Sequence, residues 1–144
     1  MQEDRYSLEA NLYGRGRALD IYHLAINGRD EFSDFVCALR ETPTESNRNF
    51  ASHLGEILGM IASRGFLTPA TYFKKLKGWT DLWEIRRRQG RQNHRFYGFT
   101  VADREFYIVK YMDKRTQKAD REALRFVDRV RTEWTRQAAR NREQ

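Results

Sequence analysis

The chain has 144 residues, of which 40% are hydrophobic, so it is long enough for one domain with a hydrophobic core. Its single cysteine excludes a disulfide framework, and no apolar run approaches the roughly 20 residues of a membrane-spanning helix. The net charge of +7 is uneven: residues 1–73 hold 7 Lys and Arg against 10 Asp and Glu, whereas residues 74–144 hold 20 against 10. We therefore expect a cytoplasmic protein that contacts a polyanion through its second half.

The chain begins with a polar stretch and one predicted strand. Residues 1–17 are polar and carry two glycines near their end, so we expect a flexible extension outside the domain. Residues 18–26 are rich in residues with high β-propensity and predict a strand. Asn27 and Gly28 follow it as a turn signal.

Two helices are predicted next. Apolar residues with i, i+3, i+4, i+7 spacing form one stripe on a helix over residues 29–40. Thr44 suits the N-cap of a second helix over residues 45–63, and Gly65 suits its C-terminal stop. Residues 66–78 then connect to the basic half. Three lysines lie in this connection: Lys74, Lys75 and Lys77.

Three strands and a helix are predicted in the basic half. The strands cover about 80–88, 93–101 and 105–112. The short turns between them favour antiparallel hairpins. A last helix is predicted over residues 119–138, and residues 139–144 should fray. The order β-α-α-β-β-β-α predicts an α+β domain over residues 18–138, with a small antiparallel sheet and the helices packed on one face.

Alternation along the predicted hairpin sorts its side chains onto two faces. The apolar residues of the first hairpin strand need burial, which leaves Arg86 and Arg88 on the open face. On the next strand, Arg95 and Tyr97 should join them, because the alternate positions hold a better core residue and His94. For the last strand both alternate sets are mixed, so its faces stay unassigned.

Cations and aromatic residues should therefore meet on one surface. Arginine forks hold phosphate bidentately, and aromatic rings stack on unpaired bases, so this pattern predicts a site for single-stranded RNA. The predicted RNA-binding residues are Lys74, Lys75, Lys77, Arg88, Tyr97, Tyr111 and Arg115. The alternative is that these cations only solvate an exposed sheet face.

The same surface predicts a chemistry. RNA is cleaved when its 2′-OH attacks the neighbouring phosphorus, which requires orientation, charge neutralisation and proton transfer. Arginine is a poor base, so Arg86 and Arg95 should stabilise the phosphorane, and Lys114 or Lys118 should transfer the proton. No cysteine or histidine lies at metal-ligand spacing and no phosphate-binding glycine loop occurs, so we expect neither a metal nor a cofactor.

Four motifs occur in order: Lys74 to Gly78, Leu82 to Arg86, Arg95 to Phe99, and Lys114 to Lys118. Together they resemble the phage-associated, HigB-like branch of the RelE/ParE toxin superfamily, over about residues 19–135. The resemblance implies a RelE-like α+β fold and the toxin of a type II toxin–antitoxin pair. It also implies an endoribonuclease that cuts mRNA on the ribosome and binds a cognate antitoxin of helix-turn-helix type. Its functional positions carry over to Arg86, Arg95, Lys114 and Lys118.

Three other functions fit the sequence. ParE-like relatives share the fold and act on DNA gyrase, but without the cationic set that is retained here. A non-catalytic, basic nucleic-acid-binding module would show the same charge and aromatic pattern. The third function is binding of another protein, because the long helices could pack against a partner as well as against the core.

Overall fold

A β-sheet with helices against it organises the chain. The computed structural model describes residues 3–114 and 117–142, and for residues 117–119 it describes the backbone alone. The strands are β1 (Leu8–Gly14), β2 (Asp20–Ile26), β3 (Phe73–Lys75), β4 (Leu82–Gln89), β5 (Gln92–Val101) and β6 (Glu105–Asp113). The helices are α1 (Glu31–Glu41), α2 (Glu45–Arg64) and α3 (Gln117–Arg142), and a short 3-10 turn, Gly65–Leu67, follows α2. The predicted α+β class is confirmed.

Local signals define both ends of α2, as predicted. The Thr44 hydroxyl accepts a hydrogen bond from the Asn47 N–H at 3.1 Å, which satisfies one of the free donors of the first turn. Gly65 ends the helix with a φ of 58°, a left-handed conformation that glycine adopts without strain. These two residues fix where α2 starts and stops beside the sheet.

The strand order is β1-β2-β6-β5-β4-β3, and the sheet is mixed. The predicted antiparallel pairing is correct for β4, β5 and β6, which are joined by short turns. It is wrong for β2, which pairs parallel with β6, from Asp20 opposite Glu105 to His23 opposite Ile108. A parallel pair needs a long crossover connection, and α1, α2 and the three strands that follow them supply it here.

The N-terminal segment belongs to the sheet, so the prediction of a flexible extension over residues 1–17 is wrong. Strand β1 pairs antiparallel with β2 from Leu8 opposite Ile26 onward. Before it, the Arg5 N–H donates to the Glu133 carboxylate at 3.0 Å, and the Asp4 carboxylate lies 2.7 Å from the Arg140 guanidinium. The folded unit therefore begins before residue 18.

Two smaller predictions, for residues 66–78 and for residues 139–142, are also corrected. Strand β3 lies within residues 66–78, which we expected to be a connection, and its length of three residues gives no readable alternation. Helix α3 continues through residues 139–142, where a frayed tail was expected, and the last two residues lie outside the described part of the chain.

The helices cover both faces of the sheet, and the expectation of one covered face is wrong. Helices α1 and α2 pack on the face that carries Ile85, Phe96 and Ile108. Helix α3 packs on the other face, where Val127 and Val130 meet a second apolar cluster. The sheet residues of that cluster include Tyr97, Phe99 and Tyr107. Because β5 and β6 are apolar at both alternate sets of positions, each face needs a cover. Within the described ranges, no helix has an apolar run long enough to cross a bilayer.

We predict that Gly98→Ala destabilises the fold by more than about 2 kcal/mol. Gly98 lies at a register shift between β5 and β6, and an added Cβ would lie 2.0 Å from the Tyr107 carbonyl oxygen. Gly59→Ala is the matched control, because its Cβ on α2 would meet nothing within 4 Å, and it should stabilise by up to about 1 kcal/mol. Urea denaturation measures both, and equal stabilities for the two variants would contradict the close approach at Gly98.

Candidate active site

Arg86 and Arg95 lie directly opposite each other on neighbouring strands. They form a register pair between β4 and β5 and therefore share a face, as alternation predicts. Like charges at directly opposed positions destabilise a sheet. The pair therefore needs a compensating group, and two arginines in this arrangement indicate a use other than stability.

Glu84 supplies the compensating charge. It lies two residues before Arg86 on the same face of β4 and is only 5% exposed. One carboxylate oxygen, Oε1, lies 3.4 Å from the Arg86 Nε, and the other, Oε2, lies 3.7 Å from the Arg95 Nε. Burial raises the pKa of Glu84, and the charges of Arg95 and Arg86 oppose that rise. One carboxylate thus faces two guanidinium groups and leaves a net positive charge.

Glu84, Arg86 and Arg95 form a charged triad, and a cleft opens beside this triad. We call this cleft the arginine cleft. It has a volume of about 460 Å³. Its lining residues are Thr71, Tyr72, Arg86, Arg87, Arg88, Asn93 and Arg95. None of them is acidic, so the cleft presents hydrogen-bond donors and positive charge together. This combination suits a phosphate group rather than a neutral ligand.

Lys114 is held next to the triad by α3. Its backbone N–H donates to the Asn93 carbonyl at 2.9 Å, which fixes it beside β5, and its Nζ lies 3.6 Å from the Asp120 carboxylate. Its charge is close enough to oppose the rise in the Glu84 pKa. Asp120, in the first turn of α3, turns inward and accepts a hydrogen bond from the Tyr97 hydroxyl.

The other predicted cations lie in three different places. Lys74 is exposed and opposite Glu84 on the edge strand β3, so it extends the cationic face. Lys75 is opposite Trp83 and therefore belongs to the other face, and Lys77 is exposed beyond the end of β3. Arg115 and the Lys118 side chain lie outside the described residues.

Neither predicted tyrosine can stack on a base in the cleft. Tyr97 has the expected face but is 0% exposed under α3, and burial raises its pKa, which keeps its hydroxyl as a donor to Asp120. Tyr111 lies on the opposite face, where its ring packs 4.4 Å from the Phe35 ring. His94, which we expected on that face, is buried there, and its Nδ1 lies 2.6 Å from the Tyr111 hydroxyl oxygen.

Tyr72 is the aromatic residue of the cleft, and the sequence reasoning missed it. It is half-buried, and its carbonyl accepts a hydrogen bond from the Arg86 N–H at 2.9 Å. Its position two residues before Lys74 of β3 was the available signal. It could be recognised only once residues 73–75 were known to pair with β4.

The arrangement can bind a phosphodiester and neutralise the charge that develops when it is attacked. Arg86 and Arg95 supply planar donors, and Lys114 supplies an ammonium group close to them. Among the described residues, no group of three or more His, Cys, Asp or Glu side chains comes together in a way that could hold a metal ion.

Comparison with known protein families gives a match. A family model described as "Phage derived protein Gp49-like (DUF891)" matches residues 39–132. This range includes the end of α1, all of α2, strands β3 to β6 and most of α3. No curated protein and no solved structure matches the chain.

We predict that Tyr97→Phe destabilises the protein by about 1–2 kcal/mol and leaves any cleavage of RNA by the protein within about twofold of wild type. The variant loses the hydrogen bond to Asp120, whereas a buried ring has no contact with a substrate to lose. Tyr13→Phe is the control, since that ring is exposed and should change stability by less than about 0.5 kcal/mol. Urea denaturation and a cleavage assay give the two readouts. A large loss of cleavage in a folded Tyr97→Phe protein would mean that the Tyr97 hydroxyl contributes to the site after all.

Proposed function

The chain belongs to the phage-derived Gp49-like family, which is part of the RelE/HigB-like toxin superfamily, and from this premise we propose that it is a HigB-like toxin that cleaves mRNA. In this proposal it is one half of a type II toxin–antitoxin pair. Its cleavage of mRNA on the ribosome arrests translation and growth.

The observation that carries the proposal is the opposed pair Arg86 and Arg95 with one buried carboxylate between them. A purely structural role would favour full neutralisation, because unpaired buried charge is costly. A site for phosphate needs the opposite, a fixed excess of positive charge in a partly dry cleft. Glu84 faces the Nε atoms of both arginines, and the Arg95 Nη1 donates to the His94 carbonyl at 3.4 Å. In this proposal the other terminal nitrogens hold the ligand.

The mechanism follows from these positions. The RNA 2′-oxygen attacks the adjacent phosphorus, a new bond forms between them, and the bond from phosphorus to the 5′-oxygen breaks. The products are a 2′,3′-cyclic phosphate and a free 5′-hydroxyl. Arg86 and Arg95 hold the non-bridging oxygens and stabilise the charge of the phosphorane.

Lys114 and Lys118 divide the proton transfers. Because the nearest charged partner of Lys114 is the carboxylate of Asp120, we assign it as the ammonium donor that protonates the departing 5′-oxygen. We assign removal of the 2′-OH proton to Lys118 on the strength of its place in the closing motif. Tyr72 is the ring best placed to stack on a base next to the cleaved bond.

Two macromolecular partners belong to the proposal. The first is mRNA on the ribosome, whose phosphate backbone matches the cationic face. The second is a cognate antitoxin, of helix-turn-helix type, that blocks the toxin. A gyrase-directed, ParE-like activity is the less favoured alternative, because it makes no use of the cation cluster around Glu84.

We predict that Arg86→Gln lowers the cleavage rate by about 10²-fold, since it removes one preorganised donor to the transition state. Arg104→Gln, at the turn on the opposite end of β5, is the matched control and should cleave at the wild-type rate. Expression is induced in bacteria, growth is followed, and mRNA ends are mapped by primer extension. Growth arrest with intact transcripts would reject the nuclease, and RNA binding without cleavage would identify a non-catalytic module.

We also predict a pH dependence that comes from Glu84. The active form carries its carboxylate, because protonation releases both guanidinium groups. Since burial raises this pKa, activity should fall as the pH drops through a value above the ordinary range of a glutamate. The Glu84→Gln variant should cleave RNA slowly, and its activity should not show this fall at low pH. A wild-type profile that is flat down to the ordinary glutamate range would contradict the role of Glu84.

A further inference from the structure

A second cavity lies on the opposite side of β4 from Arg86. It has a volume of about 410 Å³ and is formed where the first turns of α2 approach the end of β4. Ser46, Asn49 and His53 contribute to its helical wall, and Arg87 and Arg88 contribute to its strand wall. We call this cavity the Arg87 site.

Arg87 lacks a carboxylate partner there. Its Nη2 donates to the His53 Nδ1 at 2.9 Å, so the acceptor is a neutral ring nitrogen, and its Nε is buried without a hydrogen-bond partner. Glu45 also lines the cavity, but its carboxylate forms no ion pair with Arg87 within the described ranges. A half-buried guanidinium in this state retains both its charge and unused donors, which a bound anion would satisfy.

The two cavities share lining residues at the end of β4. Arg87 and Arg88 line both of them, so the cationic surface runs from Arg86 and Arg95 past the strand to the wall of α2. RNA carries one phosphate per nucleotide. A strand with its cleaved phosphate in the arginine cleft therefore presents neighbouring phosphates to this surface.

We propose that the Arg87 site binds a backbone phosphate of the single-stranded RNA substrate, adjacent to the phosphate that is cleaved. Arg87 hydrogen-bonds the phosphate oxygens, and His53 orients its guanidinium by accepting one N–H. The site adds affinity and sets the path of the strand across β4. It rests on the proposed function, because its ligand is the RNA that the arginine cleft cleaves.

The test measures RNA binding without cleavage. A short, fluorescent 2′-O-methyl RNA oligonucleotide cannot be cleaved, because its attacking hydroxyl is blocked. Its dissociation constant is measured by anisotropy across a range of salt concentrations for wild type, Arg87→Gln and Arg104→Gln. Loss of one phosphate contact should weaken binding severalfold and reduce the salt slope by about 0.7 in Arg87→Gln. Arg104→Gln should match wild type, because its side chain lies at the other end of β5.

Two further variants keep the test decisive. Arg87→Lys keeps the charge, so it should retain the salt slope and bind more weakly through loss of the arginine fork. Glu45→Gln removes the carboxylate from the cavity and should tighten binding. Thermal melts establish that each variant is folded.

The outcomes separate the two proposals. An unchanged salt slope in folded Arg87→Gln, with RNA cleavage by wild type, overturns the Arg87 site and leaves the ribonuclease standing. A reduced slope with intact transcripts in bacteria that express wild type supports the Arg87 site and rejects the nuclease. Equal effects of Arg87→Gln and Arg104→Gln would mean a general charge effect and would also overturn the Arg87 site.

Discussion

A central strand that must be covered on both sides determines the rest of this structure. Seven consecutive residues of β5, from 94 to 100, are buried, so neither of its faces can be left to water. Helices α1 and α2 cover one face and α3 covers the other. Arg95 lies within this buried run, near the point where it begins. Its charge is therefore part of the core, which explains why a buried carboxylate, and not solvent, faces it.

The burial of Arg95 lowers the stability of the fold, and it also holds the candidate site in a fixed arrangement. A guanidinium in a partly dry environment interacts more strongly with a phosphate than one in bulk water. It also needs no reorganisation when the ligand arrives, because Glu84 and the strand register already hold it. The placement of Arg86 opposite Arg95 thus lowers the stability of the fold and preorganises positive charge at the candidate site.

Sequence patterns predicted the local part of this arrangement well. Alternation placed Arg86 and Arg95 on one face because Trp83 and Ile85 alternate with Glu84 and Arg86 along the middle of β4. It placed Tyr97 on the correct face, but it could not show that α3 covers that face. Which helix lies over which side of a sheet depends on contacts distant in the chain. The polar β1 was missed because an edge strand needs no apolar run.

The remaining errors have the same origin. Asp120 was not predicted to belong to the site, because its inward turn towards Tyr97 and Lys114 depends on how α3 enters the fold. The role of Tyr72 depends on a three-residue strand that no periodicity marks. Both residues belong to the candidate site and not to the scaffold. Functional sites are where local sequence rules are most often overridden.

The parallel pairing of β2 with β6 sets the order in which the sheet can be completed during synthesis. The hairpin of β1 and β2 and the two helices leave the ribosome first, but β2 keeps one edge open until residue 105 and its successors have been made. Such late, non-local pairing is slow and leaves an unpaired edge exposed meanwhile. Lys114 and Asp120 arrive later still, so a nascent chain carries no complete cation cluster until the first turn of α3 has been made.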